Sequence, residues 1–75
     1  MNLRKRKQMK PAEEKYYKSL GKRLRFLRES AKISAPDLAH KLKVPVIYIF
    51  TVEKGSYRIS AYNLNRYLNA VKGAK

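Results

Sequence analysis

Apolar positions along this chain fall mainly into steps of three and four. Such spacing puts them on one side of a helix rather than on alternate faces of a strand. Tyr17, Leu20, Leu24, Leu27 and Ala31 form one such stripe, and it predicts a long helix from about Pro11 to Ala31. Tyr16 and Phe26 flank that stripe, while Lys15, Lys18, Lys22, Arg23, Arg25 and Glu29 make the opposite face. Pro11 suits a first helical position, and Glu13 and Glu14 complement the helix dipole in the first turn. Gly21 interrupts the stripe at a helix-propensity cost of about 1 kcal/mol, which a close helix–helix approach would explain.

The central stretch, Ser34 to Gly55, predicts two shorter helices around a tight turn at Lys43, Val44 and Pro45. Ser34 is placed to cap the first, with Asp37 three residues on to bond back as in a capping box. Pro36 lies in the first turn, where its missing N–H breaks nothing. Leu38, Ala39 and Leu42 share one face. The run Val44 to Val52 is rich in β-branched and aromatic residues, and by propensity alone it reads as a strand. Its place after the turn, and the ending Val52-Glu53-Lys54-Gly55 with glycine where a left-handed residue would stop a helix, predict a helix instead. Val46, Ile49 and Val52 then share a face. Ser56 to Ile59 reads as a loop. Ser60 caps a last helix from Ala61 to about Lys72, with Leu64, Tyr67, Leu68 and Val71 inward and Gly73 as the stop signal. The expectation is an all-α, compact bundle of four or five helices with a central helix-turn-helix, in one domain over residues 11–75.

Charge narrows the class of partner. Nineteen Lys and Arg against five Asp and Glu leave a net charge of +14 on 75 residues. So dense a positive field calls for a polyanionic partner or an anionic surface. Residues 1–10 carry five basic residues and no acid, and read as a disordered basic tail. No apolar segment approaches the ~20 residues of a membrane span, and none follows the basic N-terminus as in a signal peptide. The expected setting is therefore cytoplasmic, without a membrane partner. With no cysteine and a single histidine, His40, neither a disulfide nor a thiolate or histidine metal site can form. Glu13 and Glu14 are adjacent and point apart on a helix, so they cannot act as a paired acid and base. There is no glycine-rich phosphate loop. The chain is expected to be neither an enzyme nor a cofactor carrier.

The order Leu20-Gly21, Leu24, Leu27-Arg28, Ile33-Ser34, Leu38-Ala39, Leu42, Val44, Ile49, Val52-Glu53-Lys54-Gly55, Leu64 and Tyr67 resembles the Xre/Cro/lambda-repressor helix-turn-helix domain. The resemblance spans roughly residues 17–72. It implies an ion pair between Arg28 and Glu53 that ties the third helix to the first. It also implies a DNA-binding transcription regulator, prokaryotic or viral and nucleoid-associated, with the third helix in the major groove of double-stranded DNA and homodimers on a two-fold operator. The base-reading positions would be Val46, Ile47, Tyr48, Phe50 and Thr51. Backbone contacts would come from Ala35, Lys41, Lys43, Lys54, Tyr57 and Arg58, with Arg4, Lys5, Arg6 and Lys7 adding attraction from the tail. Three departures bear on this. Ala35 stands where the family usually has glutamine, Lys43 replaces the turn glycine, and the reading positions are mostly apolar rather than bidentate polar. An exposed apolar third helix also fits a protein-interaction adaptor or antitoxin-like module whose charge adds only non-specific nucleic-acid affinity. A weaker alternative is an RNA- or nucleoid-coating protein without sequence preference.

Overall fold

A computed structural model describes residues 9–73. It holds four helices and, among the described residues, no strand: α1 (Pro11–Ser30), α2 (Ala35–Leu42), α3 (Val46–Lys54) and α4 (Ala61–Lys72). The basic run Arg4, Lys5, Arg6 and Lys7 lies outside the described residues.

Helix α1 starts as its sequence directs. Pro11 occupies the first turn, and the Glu13 carboxylate reaches back to accept the Lys10 N–H at 3.0 Å. The inward face differs by a fraction of a turn from the expected stripe. Gly21, Leu24 and Arg28 are buried and Tyr17, Leu20 and Ala31 half-buried, whereas Leu27 is left exposed at the edge. The stripes 20-24-27-31 and 17-21-24-28-31 are neighbours on one wheel. The side on which α3 packs decides between them, and α3 lies on the Gly21 side. A Cβ on Gly21 would run into the Glu53 carbonyl oxygen and stand 2.8 Å from that of Val52. The glycine is thus where two helix backbones meet.

Three of the helices end on a residue with positive φ. After α1 it is Lys32 (φ 59°), after α2 Lys43 (φ 58°) and after α3 Gly55 (φ 80°). In each case the next N–H returns to a carbonyl five residues back: Ile33 to Arg28 (3.3 Å), Val44 to Ala39 (3.0 Å) and Ser56 to Thr51 (3.1 Å). This is the usual way of satisfying the last carbonyls of a helix. The Arg66 guanidinium donates a further bond to the Leu42 carbonyl at 2.9 Å, closing the end of α2 from α4. Lysine in a left-handed conformation is strained where glycine is not. Lys43→Gly is therefore expected to stabilise the fold by about 0.5–1 kcal/mol, read as a rise in urea midpoint with unchanged slope. A fall in midpoint would mean that the left-handed turn is not the native one.

Ser34 caps α2 by accepting the Asp37 N–H at 3.2 Å, and Ser60 caps α4 by accepting that of Asn63 at 3.1 Å. The return bond of a capping box, expected from Asp37 to Ser34, is not among the described bonds. It forms instead at α1, through Glu13. The α3 segment is helical despite its β-branched content. Ile49 and Val52, one turn apart, are fully buried against α1 and α2, and no alternating pattern could bury both on one side. Thr51 fits this helix by donating its hydroxyl to the Ile47 carbonyl at 2.7 Å. Leu24, Leu38, Ile49 and Tyr67 form the fully buried centre, one from each helix.

Candidate nucleic-acid interface

The residues around α3 divide into those that hold it and those that it presents. Its inner side is fixed at the C-terminal end by a buried cluster. Arg28 grips Glu53 with both ends of its guanidinium, Nε to Oε2 at 2.7 Å and Nη2 to Oε1 at 3.0 Å, while Nη1 donates to the Ile33 carbonyl at 3.1 Å. Tyr67 from α4 completes the cluster, its hydroxyl donating to Glu53 Oε2 at 2.5 Å with the Leu24 carbonyl also in range at 3.2 Å. Burial, and then the bond to Glu53, push the Tyr67 phenol well above its ordinary pKa, so it stays an O–H donor. The hydrogen bond to Glu53 likewise raises the Arg28 pKa. Three helices, α1, α3 and α4, thus converge on one carboxylate. The family resemblance implies the Arg28–Glu53 pair, whereas helical spacing places Tyr67 only as core. The missed signal is a tyrosine at a central core position, because a buried phenol needs a partner for its O–H.

The outer side of α3 is open. Ile47 is 64% and Phe50 46% exposed, and Val46 and Lys54 are exposed beside them. Thr51 is half-buried, and its hydroxyl proton is already committed to the Ile47 carbonyl. Tyr48 is half-buried and turned from this face toward the following loop. There its ring meets that of the exposed Tyr57 edge-on, with centroids 5.6 Å apart, and burial raises its pKa. Lys41 and Lys43 are exposed at the end of α2. Arg58 is exposed in the loop after α3, where Nη2 meets Glu13 Oε1 at 3.1 Å and so ties that loop to the start of α1.

One candidate contact is corrected. Ala35 is only 4% exposed and belongs to the core, so its methyl cannot present itself to a phosphate. Ser34 has the exposed capping position, and Ala35 after it joins the buried cluster that also holds Ile33 and Leu38. His40 is exposed, and no group of three or more His, Asp or Glu that could hold a metal ion occurs among the described residues. Also among the described residues, no helix is long and apolar enough to cross a membrane.

Chemically, the open face combines the apolar side chains of Val46, Ile47 and Phe50 with the cation of Lys54. Hydrogen-bond readout of base edges favours forked polar groups, and this face offers only Lys54 and the acceptor side of Thr51. Apolar side chains can read the thymine methyl group. No protein-family model, curated protein or solved structure matches the chain.

Proposed function

We propose that this protein is a helix-turn-helix DNA-binding regulator in which α2, the turn at Lys43–Pro45 and α3 form the motif and α3 enters the major groove. The observation that carries this reading is the division of α3: Glu53 is clamped from two other helices while Ile47, Phe50 and Lys54 are exposed. A reading helix needs both properties, since its side chains must be held in register by the scaffold and left free of it. The net charge of +14 supports the polyanionic partner. Lys41, Lys43, Lys54, Tyr57 and Arg58 would meet phosphates, and Ile47 and Phe50 would meet thymine methyls. In this reading the protein has no catalytic step and works in the cytoplasm, bound to the nucleoid, as a monomer or as a dimer on a two-fold site.

The apolar chemistry of the open face favours one other reading, an adaptor whose α3 docks on a protein. Ile47→Ser and Phe50→Ser distinguish them, since both side chains are exposed and their removal leaves the core intact. As a DNA reader, each variant is expected to lose about tenfold in affinity for a site selected from random DNA, roughly the worth of the apolar surface buried. Competitor DNA binding and sedimentation should stay unchanged. Lost self-association or partner binding with unaltered DNA preference would replace the reader with the adaptor.

A further inference from the structure

The α3 face leaves most of the α1 charge unexplained. Helix α1 faces α3 through Gly21 and Arg28, so residues near the far side of its wheel point away from α3. That far side carries Lys15, Tyr16, Ser19, Lys22, Arg23 and Phe26, all exposed. From Lys15 to Arg28 the chain has no acid, and Glu29, beyond it, is bonded to Arg25 at 2.9 Å. Two aromatic rings stand in this basic field. Tyr16 is 59% exposed and Phe26 67%, and ten residues of helix put them about 15 Å apart. The Tyr16 ring is braced by the half-buried Tyr17, edge-on at a centroid distance of 4.8 Å.

We infer that the outer face of α1 is a second nucleic-acid site, separate from α3, and that its ligand is an unpaired strand. The cations select a polyanion. The rings select among polyanions, because a duplex hides its base faces whereas a single strand offers them for stacking. Lys15, Lys22 and Arg23 take phosphates while Tyr16 and Phe26 take bases at the two ends of the face. The inference shares the nucleic-acid partner of the proposed function but not its site. A protein carrying both faces can hold a duplex on one side and a single strand on the other.

The test uses the full chain, with fluorescence-labelled oligothymidylate and a duplex of equal length as separate ligands. The variants are Tyr16→Ala/Phe26→Ala and Lys15→Gln/Lys22→Gln, whose exposed sites spare the fold, as unchanged thermal unfolding would verify. The aromatic double variant is expected to lose at least tenfold on oligothymidylate and less than twofold on the duplex. The lysine pair should lower the single-strand salt slope by about 1.4 in log–log terms, or ~0.7 per phosphate. Phe26→Trp, in a chain with no other tryptophan, should bind oligothymidylate as the parent does and be quenched by it but not by the duplex. Unchanged oligothymidylate affinity in the aromatic variant, or equal losses on both ligands, would overturn the inference. So would binding to phosphatidylserine vesicles that depends on Phe26 while oligothymidylate binding does not. Retained single-strand behaviour without any duplex binding would remove the α3 reading and leave this one standing.

Discussion

Glu53→Ala is expected to cost about 3–5 kcal/mol, the largest loss from any single side chain outside the apolar core. The substitution leaves the Arg28 guanidinium buried with only the Ile33 carbonyl for a partner, and it strips the Tyr67 hydroxyl of its carboxylate. A buried cation without its counter-ion is penalised far beyond the worth of the pair itself. For 75 residues the whole stability is on the order of 4–11 kcal/mol, so the variant should lose a large share of it. Arg28→Ala should cost nearly as much, and the Arg28→Ala/Glu53→Ala double variant clearly less than the sum. Tyr67→Phe, which removes one bond to a charged group, should lose about 1.5–3 kcal/mol. Urea unfolding followed by circular dichroism gives each value. Losses under 1 kcal/mol that simply add would mean that α1, α3 and α4 do not meet at this carboxylate.

Gly21→Ala is expected to destabilise by about 2–3 kcal/mol, against the sign that helix propensity alone predicts. In an open helix the change would gain about 1 kcal/mol. Here the new methyl would collide with backbone, the carbonyl oxygens of Glu53 and Val52, which cannot swing aside as a side chain does. The helices must separate, and overpacking of this kind typically costs 1–3 kcal/mol or more. Separation would also lengthen the Arg28–Glu53 bonds one helix turn or two away. The same urea titration measures it, and a stabilised variant would show that α1 and α3 do not approach at this point.

The helical architecture is legible in the sequence because periodicity and punctuation agree at Pro11, Ser34, Gly55 and Ser60. Helix α3 is the exception, since Val46 to Val52 has strand propensities, and only its bounds at Pro45 and Gly55 read as helical. Tertiary burial of Ile49 and Val52 overrides the local preference. The choice of Arg28 over Leu27 as an inward residue depends on where α3 lies, which periodicity does not specify. The left-handed lysines at 32 and 43 are invisible to a search for glycine. At the site, the outward placement of Ile47 and Phe50 follows once Ile49 and Val52 are set inward. The burial of Ala35 does not follow from its small side chain, which suits core and surface equally. Tyr67 as a ligand of Glu53 depends on how the loop after α3 folds α4 back onto it, which helical periodicity does not specify.

The most direct measurement of DNA reading by α3 is a titration of the whole chain with selected and competitor duplexes at two salt concentrations. Phosphate attraction alone weakens both alike as salt rises, by about 0.9 in log–log slope per contact, whereas contacts to bases survive in the ratio of the two affinities. The account predicts a steep slope on both duplexes and a preference of about a thousandfold or more for the selected site at the higher salt. Equal affinity for the two duplexes at both salt concentrations would contradict it.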